Sequence, residues 1–240
     1  RSALIGNGDD TLGVVRTQAG GALHVERRAS LVNVTSFGNV ADDSGGLISA
    51  GAGTESITLN YVTSVDDSAP SGGVIDYASN DDSIAMRGTV MQGLGNRCAA
   101  PGPAPANVSV ESAGNYVTDT SCGLADDSIT LATDDSLGFT TPLSTDDTPG
   151  SQVLTPNAST ILINRVPSNL VFLVSADQVG NLRNLPSGLT TVGALQVLPQ
   201  PTFTKSPLSQ TVAAGASATL TAVATGGTGV LTLQWQRSTD

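Results

Sequence analysis

The chain of 240 residues carries 10 Lys and Arg against 21 Asp and Glu, a formal charge of −11. A field of that sign repels phosphate backbones and anionic lipid, which excludes nucleic acid as an expected partner. Charged residues are only 13% and aromatics 3%, so the core must be built from thin stacks of Val, Leu, Ile and Ala rather than large rings. No apolar run approaches the roughly 18 residues of a membrane span, so no membrane insertion is expected in this segment.

The sequence opens on Arg1 in mid-pattern with no signal peptide visible, and a preceding segment is expected. From about residue 12 to 95, segments of alternating β-formers recur: Leu12 to Val15, Ala22 to Val25, Leu31 to Thr35, Leu47-Ile48, Ile57 to Val62, Val74 to Tyr77 and Ile84 to Met91. Clusters of Asp, Ser, Pro and Gly separate them, and no stretch holds a helical apolar period with caps. The region is predicted to be all-β.

Within it one phrase recurs. Gly20-Gly21-Ala22-Leu23, Gly45-Gly46-Leu47-Ile48 and Gly72-Gly73-Val74-Ile75 share a Gly-Gly-aliphatic pattern at spacings of 25 and 27. Ser30-Leu31-Val32-Asn33-Val34 aligns on Ser56-Ile57-Thr58-Leu59-Asn60, and that on Ser83-Ile84-Ala85-Met86-Arg87. A period of this size on short β-segments predicts a parallel β-helix, a solenoid in which aliphatic residues stack from coil to coil and glycines take the corners. Such a stack has open ends that other structure must cap.

Residues 96 to 123 interrupt the period with a Pro/Ala-rich excursion between the two cysteines, Cys98 and Cys122. The single histidine, His24, lies far away, which removes the ligands a zinc site needs. A disulfide closing the loop, and hence an oxidising compartment, is one reading; buried free thiols are the other. Residues 124 to 198 form a less regular β-rich capping segment, following coils in 1 to 123. After Pro199-Gln200-Pro201 the texture changes, and residues 202 to 240 suggest strands around Gln210 to Val212, Ala218 to Ala224 and Leu231 to Gln236.

The run Ser56 to Asn60, then Ser71-Gly72-Gly73-Val74-Ile75, Asn96-Arg97-Cys98, Gly114-Asn115-Tyr116 and Ser121-Cys122-Gly123 resembles bacterial parallel β-helix surface proteins with a choice-of-anchor C-terminal region. Leu137-Gly138, Thr148 to Pro156, Ser159 to Asn164, Ala176-Asp177-Gln178-Val179-Gly180 to Arg183 and Val192-Gly193-Ala194 resemble the tail of that family. Two departures stand out. Phe172 to Val174 and Leu189 to Thr191 lack the cysteine pair common in the tail, and Val179 occupies a position often held by arginine. The resemblance implies secretion and surface display, with no catalytic residues. Residues 201 to 240 resemble the opening of a bacterial immunoglobulin-like β-sandwich, with Trp235 in the place of its core tryptophan. Only part of such a module is present, so either the chain has been cut or other strands, such as those of a neighbouring molecule, are expected to complete it.

Asp-Asp followed by Ser or Thr occurs at Asp9, Asp42, Asp66, Asp81, Asp126, Asp134 and Asp146. Three readings stand. Asp and Ser close turns through their own side chains. Acidic turns also suit calcium, for which Asp42, Asp43, Asp66 and Asp67 are the candidates, with Asp42 and Asp66 sharing a coil position and Asp82 aligned instead with Glu55. Asp-Ser/Thr before an apolar residue resembles a bacterial O-glycosylation signal at Thr11, Ser68, Ser83, Ser128 and Ser136, whereas Ser44 and Thr148 do not fit it.

The expected role is a structural or adhesive surface protein that self-associates into fibres, by end-to-end stacking or strand complementation. The alternative class is a polysaccharide lyase, glycosidase or carbohydrate-binding module with a glycan ligand, on the analogy of other β-helices. Arg87 near Asp81-Asp82 is the constellation it would use; a surface arginine paired with neighbouring acids is the preferred reading of it. His24 beside Glu26 has no nucleophile motif, and Tyr61, Tyr77 and Tyr116 are too sparse for a sugar-stacking stripe. No catalytic residue and no cofactor beyond calcium is assigned.

Overall fold

The computed structural model describes residues 2–7, 17–77, 83–93, 95–99, 114–123, 129–131, 137–145, 152–157, 161–167, 174–183, 188–198, 201–225 and 231–236. Every regular element named among them is a β-strand. The chain divides into two compact units, Arg1–Val197 and Leu198–Asp240.

In the first unit, strands pair in parallel with strands one pass further along the chain. Ser2–Ile5, Val34–Phe37, Thr63–Val65, Val90–Gln92, Asn115–Val117 and Ile129–Leu131 make a six-stranded sheet. Leu23–Val25, Ile48–Ala50, Ile75–Asp76 and Cys98–Ala99 make a four-stranded one. Arg28–Val32, Ser56–Asn60 and Ser83–Arg87 make a third, and Thr17–Ala19 pairs with Ala41–Ser44. In the four- and three-stranded sheets partners lie 23 to 28 residues apart, as in Ile75 with Cys98, Leu23 with Ile48, Ile48 with Ile75, Arg28 with Ser56 and Ser56 with Ser83. In the six-stranded sheet Ser2 pairs with Val34, 32 residues on, and Asn115 with Ile129, 14 residues on.

Left-handed residues turn the chain between sheets. Asn33 (φ 53°), Tyr61 (φ 54°), Gly88 (φ 57°) and Gly114 (φ 63°) each stand two residues before a paired site of the six-stranded sheet, Thr35, Thr63, Val90 and Tyr116. These corners cut the predicted strands Leu31 to Thr35, Ile57 to Val62 and Ile84 to Met91 in two. The backbone there must reverse its pleat, and a residue at positive φ does so in one step. Strand alignment also differs by two residues in one place: Leu31 stacks on Leu59, not on Ile57. A two-residue slip keeps the same side chains facing inward, so the apolar pattern alone could not detect it.

Inward positions build one apolar column. Leu31, Leu59 and Met86 stack in register on one wall, and Ile48, Ile75 and Cys98 on another. All are buried within the same cluster. Each large aliphatic contributes roughly 1.5–3 kcal/mol by leaving water. A second cluster joins Tyr61, Val90 and Tyr116 to Leu137, Leu162, Val166, Val174 and Val192, so the later part of the unit packs against the passes. That part is antiparallel: Phe139–Thr145 with Gln152–Pro156, and Val166–Pro167 with Leu189–Thr190.

Among its described residues the second unit has one antiparallel pair, Thr202–Lys205 with Val223–Thr225. Strands do not form at Gln210 to Val212 or Leu231 to Gln236, and Ala218 to Ala224 contributes only its end. A β-segment holds its shape through ladder partners and a covered face, and one short pair supplies neither.

Glycine 46 tests the stacking. A Cβ there would lie 2.2 Å from the Gly73 carbonyl oxygen and 2.4 Å from the Ser68 nitrogen, both backbone. At Gly38 (φ 63°) a Cβ meets nothing within 4 Å. Gly38→Ala is therefore expected to cost only the left-handed penalty, about 1–2 kcal/mol. Gly46→Ala forces two passes apart and is expected to cost about 3 kcal/mol, the upper end of overpacking. Urea unfolding of both variants checks the order; equal losses would contradict the stacking.

Candidate functional site

The acidic pairs divide on folding. Asp42 and Asp43 are exposed on the strand Ala41–Ser44, and Asp66 is exposed at a left-handed corner (φ 56°). Asp67 is 1% exposed. Its Oδ1 accepts hydrogen bonds from the Asn39 backbone N–H at 2.9 Å and from Asn39 Nδ2 at 2.7 Å, and its Oδ2 accepts from Ser64 Oγ at 2.6 Å. Asn39 continues the ladder, its Oδ1 accepting from Asn7 N at 3.0 Å and Asn7 Nδ2 at 2.8 Å. The expected column of Asp42 on Asp66 is thus corrected. Phe37 pairs with Val65, which puts Asp66 beside Gly38 and Asp67 beside Asn39. Asp67 spends its oxygens on interior donors and is not free for a cation with Asp42, Asp43 and Asp66. Among the described residues, no group of three or more His, Cys, Asp or Glu converges as a metal site would. Burial pushes the Asp67 carboxyl up, against the pull of Ser36, Ser64 and Asn39.

Of the serines and threonines before apolar residues, Ser68 is exposed and Ser83 half-buried at the start of Ser83–Arg87. Thr11, Ser128 and Ser136, with the pairs beginning at Asp9, Asp81, Asp126, Asp134 and Asp146, lie outside the described residues. Arg87 Nη1 donates to Asn60 Oδ1 at 3.5 Å. His24 meets Glu26 at 2.8 Å on the surface and stands in register with Ser49, which stands in register with Asp76. Burial raises the Asp76 carboxyl, while the Ser71 and Ser44 hydroxyls oppose it. Tyr61, Tyr77 and Tyr116 are buried and take no part in a surface stripe.

Sequence reasoning missed two fully buried arginines. The Arg183 guanidinium lies 3.8 Å above the Tyr61 ring, a desolvated cation–π contact. Its Nη2 donates to Asn33 Oδ1 at 2.9 Å and to the Gly193 carbonyl at 2.7 Å, and Nη1 to the Thr191 carbonyl at 3.1 Å. Burial pulls it down to about 10, with Tyr61 and Asp177 opposing. Around it Thr35 Oγ1 donates to Gln178 Oε1 at 2.6 Å, and Thr63 Oγ1 accepts from the Ala194 N–H at 2.8 Å. One arginine thereby clasps the corner residues Asn33 and Tyr61 to the segment around 174–197.

Arg97 ends the four-stranded sheet. Its backbone N–H donates to Asp119 Oδ2 at 2.7 Å, and the next N–H, of Cys98, donates to Ser121 Oγ at 2.9 Å. Side chains here replace a further strand. Cys98 and Cys122 form a disulfide, both buried, so Asp119 to Cys122 is stapled to that edge. The Arg97 side chain is held by the Gly95 carbonyl, at 3.2 Å from Nε and 3.1 Å from Nη2, with Asp119 Oδ2 3.6 Å from Nε.

The second unit presents large apolar side chains to water: Leu208 at 77% exposure, Phe203 at 62% and Trp235 at 57%, with Val212, Leu220 and Leu233 also exposed. No protein-family model, curated protein or solved structure matches this chain.

Asp67 gives a pH test whose sign is fixed. Its folded-state affinity for a proton is raised, so the folded chain holds the proton to higher pH than the unfolded one. Stability from this group is therefore greatest below the ordinary carboxylate range of about 4 and is lost as pH rises through the folded value. Asp67→Asn keeps an oxygen for Asn39 and removes the charge. Its stability relative to wild type is expected to increase as pH rises above about 4, measured by urea unfolding across pH; a flat difference would refute the assignment. Asp67→Ala strands the Asn39 donors and is expected to lose about 3 kcal/mol.

Proposed function

We propose that this chain is part of a secreted bacterial surface protein, a parallel β-helix rod with a structural or adhesive role. On this reading, Leu198–Asp240 links it to further copies by strand complementation into an extracellular fibre. The observation that carries the proposal is the apolar surface of the second unit. Beside two short paired strands, one of which carries the exposed Phe203, it exposes Leu208, Leu233 and Trp235 on described stretches that have no ladder partner. Exposed apolar side chains on an incomplete sheet mark a surface that another β-element covers.

Other features support the same reading. Parallel pairing of each pass with the next, 25 residues on at Leu23 with Ile48 and 28 at Arg28 with Ser56, supports a β-helix. The disulfide is compatible with an oxidising, extracellular compartment. The resemblance to choice-of-anchor surface proteins implies display at the cell surface. The buried polar groups at Asp67 and Arg183 serve the interior of the stack, as a durable structural element requires.

The test is negative-stain electron microscopy and sedimentation of the purified chain beside Phe203→Asp/Trp235→Asp. Wild type is expected to form regular filaments or discrete oligomers, and the variant to sediment as single particles with the unfolding of the first unit unchanged. Single particles for both proteins would defeat the strand-complementation reading and return attention to glycan-binding and lyase assays.

A further inference from the structure

Both sulfurs of the disulfide lie on the inner side of the stack. Cys98 stands in register with Ile75, which stands in register with Ile48, so its side chain takes the next inward place in an aliphatic column. Cys122 belongs to the same apolar cluster, together with Met91 and Val117. The two cysteines are 1% and 2% exposed. The backbone around them is tied from both sides. The Arg97 and Ala99 carbonyls accept from Val74, Ile75 and Tyr77 of the preceding pass. Asp119 Oδ2 takes the Arg97 N–H, and Ser121 Oγ takes the Cys98 N–H. Asp119 Oδ1 accepts in turn from the Ser121 N–H, which fixes the segment that carries Cys122.

A disulfide forms by exchange in two displacements. One cysteine thiolate bonds to a sulfur of an external disulfide, and the other external sulfur leaves as a thiolate. The second cysteine thiolate then attacks the first cysteine's sulfur, and the remaining external group leaves. In sum the two cysteines give up two protons and two electrons, and the external disulfide becomes two thiols. The mixed disulfide between these displacements carries a whole external group on Cys98 or Cys122. Side chains so nearly buried among close-packed aliphatics leave no room for that group. Apolar surroundings also disfavour the thiolate that must attack.

We propose that the Cys98–Cys122 bond is made before the passes close around it, by exchange between the unpacked chain and an external disulfide, and is sealed from thiols thereafter. The reaction that precedes packing of this region is therefore thiol oxidation, and the bond is a permanent element of the stack, not a reversible switch. Exchange in either direction requires Asp119–Cys122 to leave the stack first. The inference goes beyond the strand-complementation reading and does not depend on the second unit.

The test treats the full oxidised chain with dithiothreitol and counts thiols by mass after alkylation in concentrated urea. In buffer, reduction is expected to run about a hundredfold slower than in the urea-unfolded chain, and to quicken as sub-denaturing urea opens the stack. Asp119→Ala/Ser121→Ala loosens the Cys122 segment with both cysteines kept, and is expected to speed native reduction about tenfold. Native reduction as fast as that of the unfolded chain, or slow reduction indifferent to urea, would put the sulfurs within reach of thiols in the closed fold and overturn the proposal. A rate unmoved by the double substitution would overturn the opening of Asp119–Cys122 as the required step. Oxidised glutathione checks the reverse order. Added before refolding from urea, it is expected to yield the disulfide; added to the reduced chain after refolding, it is expected to leave both thiols free. Ready oxidation of the refolded reduced chain would again overturn the proposal, whereas a reduced chain that cannot fold supports it, because oxidation then precedes packing.

Discussion

Everything in the first unit depends on register between successive passes. A parallel ladder repeats its hydrogen bonds only if each pass returns at the same height, so insertions must fall at corners and never within a strand. The chain meets this demand with left-handed residues at fixed places in the pass. Gly20, Gly45 and Gly72 hold one corner, Gly38 and Asp66 another, and Asn33, Tyr61 and Gly88 a third. The backbone is turned identically each time, and the side chains between corners then stack without further instruction.

That dependence explains what could be read from the residues alone. The Gly-Gly column was legible because two constraints fall on neighbouring residues: Gly45 takes positive φ, and Gly46 lies against the backbone of the next pass. No residue but glycine meets both. The corner at Tyr61 was illegible, since a tyrosine ordinarily signals a strand and here sits at φ 54°. Its ring is held by Arg183 from more than a hundred residues away, a tertiary contact that overrides local preference. The Asp-Asp-Ser pattern misled for a related reason. Asp66 is indeed a turn residue, but its neighbour Asp67 points inward onto Asn39, and only the register tells the two apart. Arg97, flanked by Gly93 and Gly95, did carry a signal. A Cβ at Gly93 would lie 2.3 Å from Nη1, so the missing side chain makes room for the guanidinium.

Buried polar groups in this unit are concentrated where the apolar column cannot do the work. Aliphatic stacking fixes which face points inward but tolerates a slip of two residues at little cost. Asn7, Asn39 and Asp67 do not tolerate it, because a displaced carboxylate loses several donors at once. The same holds for Arg183, whose fork reaches Asn33, Thr191 and Gly193 only in one alignment. These networks add specificity of register to a core whose hydrophobic pattern leaves register underdetermined.

A stack built by register has a consequence at its ends. Every internal pass offers its successor a template, and the last pass offers it to whatever is near. Where the four-stranded sheet ends, the chain answers with Asp119 and Ser121, two side chains that imitate a strand's acceptors without offering donors of their own to a further strand. The second unit is the opposite case, since its apolar side chains and unpartnered segments remain displayed. Side chains and a covalent staple thus close one β-edge of the first unit, while the described residues of the second unit present apolar side chains to water. On that view the scarcity of charge is a requirement of stacking, since a charged inward position would repeat its desolvation cost at every pass.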